Sequence, residues 1–172
     1  MFREGGTRYT RAPPFRSSLV ILPRYRIGAS TIPGAGLGLF MEEPVPRGHV
    51  VIAPDGIGAT FSFEHLQADP ALAAQLHTSV RWFEDRYTLS PEWPDECYVN
   101  HDFEPNGLWH LGFVFAARNL AAGEELTIDY RHLLAPGQEE TFRDARTGHP
   151  IVGLNWRESL RLTSHTLAKL LA

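Results

Sequence analysis

Asn100-His101-Asp102-Phe103-Glu104-Pro105-Asn106 is the most informative segment of this chain, and Gly123-Glu124-Glu125-Leu126-Thr127-Ile128-Asp129-Tyr130 follows it. Between them an apolar run, Trp109 to Ala116, leads into Ala117-Arg118-Asn119-Leu120; far upstream stands a glycine turn, Gly34-Ala35-Gly36-Leu37-Gly38-Leu39-Phe40. Asn100 and His101 offer amide and imidazole groups beside Pro105-Asn106, a turn-forming pair. Metal coordination is one reading of His101 with Asp102. It is a thin ligand set, and neighbours on an extended chain point to opposite faces. The glycines permit tight turning and close approach of backbone to a ligand. They do not form a P-loop, which needs a lysine and a hydroxyl, and no long helix pattern follows to complete a dinucleotide fingerprint. The bland readings are a plain glycine turn at 34–38 and a buried structural tyrosine at Tyr130.

Composition narrows the class. A chain of 172 residues with 43% hydrophobic content suits one domain with one core. Cys97 is the single cysteine, which excludes an internal disulfide and a multi-thiolate zinc cluster. Residues 1–18 read as an irregular arm carrying Arg3, Arg8, Arg11 and Arg16 around Pro13-Pro14, with no apolar segment of secretory-signal length. Leu19-Val20-Ile21-Leu22 is too short to span a bilayer, so the expectation is a soluble, cytoplasmic protein with no membrane partner; an organelle transit peptide is the minority reading of the arm. Charge is uneven: seven carboxylates lie from Glu84 to Glu104 against Arg86 alone, either to attract a basic peptide or as a solvated loop. The arm lacks the interleaved stacking aromatics of a recognised nucleic-acid motif, which argues against nucleic acid as a partner.

Local patterning predicts a mostly β chain with short helices. Strands are expected at Leu19–Ile27, Leu39–Met41, His49–Ile52, Arg86–Leu89 and Leu126–Tyr130. Another is expected over Trp109–Ala116, alternating Trp109, Leu111, Phe113 and Phe115. Asp69-Pro70 reads as a helix cap and first turn, with Leu72, Leu76 and Val80 along one stripe. Asn155 reads as the cap of a terminal helix over about 156–171, with Trp156, Leu160, Leu167 and Leu171 near its apolar face.

In order and spacing, the three blocks resemble the SET-domain family of protein lysine methyltransferases, over about residues 24–131. The resemblance is to a small, bacterial-type member lacking the cysteine-rich zinc module that closes the substrate channel in many relatives. It implies a SET (β-clip) fold of several small sheets with a C-terminal pseudoknot, a domain over 19–134 with a variable insert at about 56–82, and a segment at 135–172 packing on it. It further implies methyl transfer from S-adenosylmethionine, giving S-adenosylhomocysteine, to a lysine amine of a basic protein or peptide, with no metal. Ala35, Gly36, Leu37, Asn100, His101 and Tyr130 would contact the cofactor, Tyr130 would be catalytic, and Asn106 would brace the loop. Candidate substrate-channel residues are Ile128, Tyr87, Tyr98, Phe142 and Trp156. Asp102 and Phe103 replace the family's usual serine and cysteine, and Ile128 stands where an aromatic residue is common. The alternative is a SET-like module without transfer activity that binds basic peptides or a protein partner. Oligomeric state and the particular substrate are not legible.

Overall fold

The computed structural model describes residues 21–52, 60–89 and 95–172; the arginine-rich arm, part of the expected insert and Leu19-Val20 lie outside them. In chain order the strands and helices are β1 (Tyr25–Ala29), β2 (Leu37–Met41), β3 (Val50–Ile52), α1 (Phe63–Ala68), α2 (Pro70–Ala73), β4 (Ser79–Phe83), β5 (Arg86–Leu89), β6 (Asn100–His101), β7 (Gly107–His110), β8 (Phe113–Ala116), β9 (Thr127–Ile128), β10 (Glu139–Arg143), β11 (Pro150–Val152) and α3 (Trp156–Leu171). Short 3₁₀ turns lie at Leu76–Thr78, Asp95–Tyr98 and Tyr130–His132. The architecture is therefore mostly β and assembled from small sheets: β1-β2, β3-β8-β7, β4-β5, β6-β9 and β10-β11.

Apolar residues of the glycine-turn segment, of the strands around it and of the middle and last motif blocks close one core. Leu39, Met41, Val51, Val114, Ala116, Leu126 and Ile128 pack together with Val45, Val99 and Leu120. A second, smaller cluster gathers Leu66, Tyr87 and Ala135, with Phe61, Phe63, Leu72, Leu76 and Leu89 against it. Between these bodies Arg81 is fully buried, donating from Nη1 to the Leu154 carbonyl (2.8 Å) and from Nη2 to the His132 carbonyl (3.2 Å). Burial holds its pKa below the ordinary arginine value, and its compensation is those carbonyl dipoles and the Trp156 ring, 5.9 Å away.

Four expectations need correction. The run at 109–116 is two strands, because Leu111 (φ 51°) and Gly112 (φ 84°) turn the chain into a hairpin. The buried face is then Leu108, Val114 and Ala116, while Leu111 and Phe113 are exposed. The stripe Leu72-Leu76-Val80 does not run along one helix. Asp69 does cap α2, accepting from Ala71 N and Leu72 N, but α2 ends at Ala73 and Val80 lies in β4. The last strand spans only Thr127–Ile128, since Asp129 accepts from Arg131 N and opens the 3₁₀ turn that carries Tyr130. In α3 Leu171 is exposed and Leu170 buried, and the inner face includes Ser159 and Thr163. Those hydroxyls meet His132 Nδ1 (2.8 Å) and His110 Nδ1 (2.9 Å), so two buried polar side chains hold α3 on the domain. Asn155 caps this helix as expected, accepting from Arg157 N.

Candidate active site

The two distant motif blocks meet as a parallel pair, with Asn100 opposite Thr127 and His101 opposite Ile128, and the Asp102 amide donating to the Ile128 carbonyl (3.1 Å). Asn106 fixes the crossing. Its buried amide donates to the Glu125 carbonyl (2.8 Å), and its Oδ1 accepts from Thr127 N (2.8 Å). A polar side chain is tolerated there because it replaces the ladder bonds that two-residue strands cannot supply.

The glycine turn joins this pair through side chains. Asn100 Nδ2 donates to the Leu37 carbonyl (2.8 Å) and to Glu125 Oε1 (2.9 Å). Glu125, absent from the sequence-derived site, proves to be the hub. Its carboxylate also accepts from Ser30 Oγ (2.7 Å), Thr31 N (2.8 Å) and Thr31 Oγ1 (2.6 Å). Burial pushes its pKa up, but this set of hydrogen bonds outweighs burial and holds it below the usual carboxylate range. Gly34 and Gly36 adopt φ of 81° and 77°, and a Cβ on either would enter open space, whereas a Cβ at Gly38 would collide with the Glu125 carboxylate. Two of the three glycines thus serve backbone conformation beside open space, and the third makes room for a protein side chain rather than a ligand.

Tyr130 sits against the other side of the pair. Its amide donates to His101 Nδ1 (3.1 Å), its ring packs on the His101 ring at 5.4 Å, and its hydroxyl donates to the Val99 carbonyl (2.7 Å). Burial, with Glu140 and Cys97 nearby, raises the pKa of the phenol, so it is neutral at physiological pH. The imidazole of His101 is buried, which pushes its pKa down, while Asp129, Asp144 and Asp102 oppose the shift. Asp129 is occupied by a two-pronged ion pair with Arg131.

The proposed channel residues are distributed unevenly. Ile128 is buried beside His101, and Phe142 on β10 presents its ring edge to Tyr130 at 6.3 Å. Tyr98 lies in the 3₁₀ turn just before the Asn100 loop. Tyr87 packs instead against Phe63 at 5.4 Å in the second cluster, and Trp156 lies beside Arg81. The acidic run is partly neutralised. Asp95 accepts from the Tyr25 hydroxyl, and Arg146 binds Asp102 (3.1 Å) and Glu104 (2.6 Å). An open cleft of about 590 Å³ is bordered by Phe103, Arg131, Val152, Leu154 and Glu158, and Tyr130 does not line it.

The SET domain family model matches residues 36–131, more than half of the chain, and the chain belongs to that family. The crystal structure of the Chaetomium thermophilum polycomb repressive complex 2 is similar at TM-score 0.50 and 20% identity, over 63% of this chain and 15% of that one. A structure of ctPRC2 in complex with H3K27me3 and H3K27M gives TM-score 0.48 and 20% identity, over 63% and 14%. The chain thus spans a small part of the proteins it resembles. No curated protein matched the chain. Among the described residues no helix is long and apolar enough to cross a membrane.

Proposed function

We propose that this chain is an S-adenosylmethionine-dependent protein-lysine N-methyltransferase acting on a lysine of a basic protein or peptide. The observation that carries the reading is the convergence of Leu37, Asn100 and Tyr130 on one crossing of chain, with glycine 36 open beside it. A methyl donor of this type needs backbone groups on its amino-acid and nucleoside parts and a neutral phenol at the transfer point. The residues present fit that need: Ala35, Gly36, Leu37, Asn100 and His101 would hold the cofactor, largely through main chain. When bound, S-adenosylmethionine supplies an electrophilic methyl on a sulfonium.

The protein must then deliver a neutral amine. A free lysine at pKa near 10.4 costs roughly 4–5 kcal/mol to deprotonate at pH 7. An apolar channel lowers that cost by desolvating the ammonium. Ile128 and Phe142 are apolar groups suited to wall it. Glu140 adds an acidic group: half-buried, with no cation partner among the described residues, it lies close enough to Tyr130 to oppose ionisation of the phenol. Its own carboxyl is raised by burial, which suits a group that attracts an ammonium and passes its proton outward. Tyr130 would orient the amine. Alignment of nucleophile and methyl can remove on the order of 7–11 kcal/mol from a bimolecular barrier.

The test is a labelled-methyl screen against basic proteins and peptides, with Tyr130→Phe as control. Transfer to lysine in wild type and its loss in the variant supports the reading. Cofactor binding with no transfer to any basic substrate favours a peptide-binding SET module instead.

A further inference from the structure

We propose that Asp144, at the turn between β10 and β11, is a positioning residue for Tyr130 that acts through His101. The three groups form a line. Tyr130 N–H donates to His101 Nδ1 at 3.1 Å, so the neutral imidazole must carry its proton on Nε2. Nε2 has no hydrogen-bond partner and faces Asp144 Oδ1 at 3.8 Å, with both side chains 2% exposed. That separation exceeds a hydrogen bond and is too short for a water to sit in line between the two atoms. An inward shift of roughly 0.8 Å by the turn completes the bond.

The turn is built to present this oxygen. Asp144 Oδ2 accepts from Thr147 N and Thr147 Oγ1, both at 2.6 Å, which leaves Oδ1 aimed at His101. Arg146, two residues on, grips Asp102 and Glu104 and ties the same turn to the Asn100 loop. The carboxylate thereby fixes the tautomer that can accept the Tyr130 amide, as an outer carboxylate fixes a histidine in many sites. A protonated His101 would present a second donor to that amide and release it. The charged groups facing the ring are Asp144 from the β10–β11 turn, Asp102 from its own loop, Asp129 after β9, and Arg131 from the 3₁₀ turn.

This proposal rests on Tyr130 as the transfer-site tyrosine, but its structural core is measured without activity. In the full chain labelled with ¹⁵N-histidine, and with His101→Gln to assign the signal, the expected result is a single neutral tautomer protonated on Nε2. Asp144→Asn keeps an acceptor and removes the charge, so that tautomer persists while the His101 pKa falls by at least 0.5 unit. Asp144→Ala mixes the tautomers, speeds exchange of the Tyr130 amide at least fivefold, and lowers methyl-transfer kcat about tenfold, with KM for a peptide changed less than threefold. Asp144→Asn restores most of kcat. A proton on Nδ1 in wild type, or an unchanged or raised His101 pKa in Asp144→Asn, overturns the proposal. If wild type transfers no methyl, the functional reading fails by itself, and the tautomer and exchange results still decide this one.

Discussion

The side-chain amide of Asn100 donates to the carbonyl of Leu37 at 2.8 Å, across 63 residues of chain. This contact turns two separate motifs into one surface, and Glu125 stabilises it from behind by accepting from Asn100 and from both Ser30 and Thr31. The glycine turn, the Asn100 loop and the segment leading to Tyr130 are therefore one mechanical unit.

Glu125→Ala breaks that unit. Removing a buried carboxylate leaves several donors without partners, at about 1–3 kcal/mol for an unsatisfied group. Chemical denaturation should show a loss of about 3 kcal/mol or more, and affinity for S-adenosylmethionine should fall with it. Gly38→Ala reaches the same end by collision with the Glu125 carboxylate, at about 1–3 kcal/mol. Gly34→Ala meets no atom and carries only the strain of φ 81°, so its cost should be the smaller.

Tyr130→Phe removes the donor to the Val99 carbonyl. Stability should drop by about 1 kcal/mol. Methyl transfer should fall on the order of 10²-fold through lost alignment, while cofactor affinity changes little. Single-turnover kinetics beside calorimetry separates the two effects.

Stability should decline on acidification from near neutrality. Burial depresses the pKa of His101, His110 and His132 in the folded state, so each binds its proton more readily when unfolded. Their contribution is complete above the unfolded value of about 6.5 and is lost as pH falls through the folded values, at a ceiling of about 1.4 kcal/mol per pH unit for each. Denaturant midpoints measured from pH 7.5 to 5 check the sign; a flat profile contradicts it.

Ile128 bears on product state. An aliphatic side chain there cannot hold the amine or a water by hydrogen bonding, so a saturated reaction should pass beyond one methyl. Intact mass of the product reads this directly. Ile128→Tyr should restrict the product toward one methyl.

The motif blocks were legible because their chemistry is local: glycines where φ is positive, Asn106 where short strands need a brace, Asp69 and Asn155 where helices begin. The Asp69-capped helix shows the limit of that legibility. Its cap was readable, yet its length was not, because Val80 and Arg81 are drawn into a strand by packing against the C-terminal segment. The hairpin at Leu111-Gly112 was missed because a leucine with φ 51° is not a usual turn residue. Glu125 and Asp144 hold polar groups of the site together and Arg81 ties β4 to the C-terminal segment, and each gains its role from partners that no spacing rule connects. Tyr87 and Trp156 were candidates for the channel with ordinary core as the alternative, and no spacing rule could show that Tyr87 packs in the second cluster and Trp156 beside Arg81.

The glycine turn, the Asn100 loop and Tyr130 are proposed to form one methyl-donor site. Calorimetric titration of S-adenosylmethionine into wild type and Asn100→Ala tests it most directly. One site is expected in wild type, with at least tenfold weaker binding in the variant. No binding to folded wild-type protein, or equal binding by both, would contradict it.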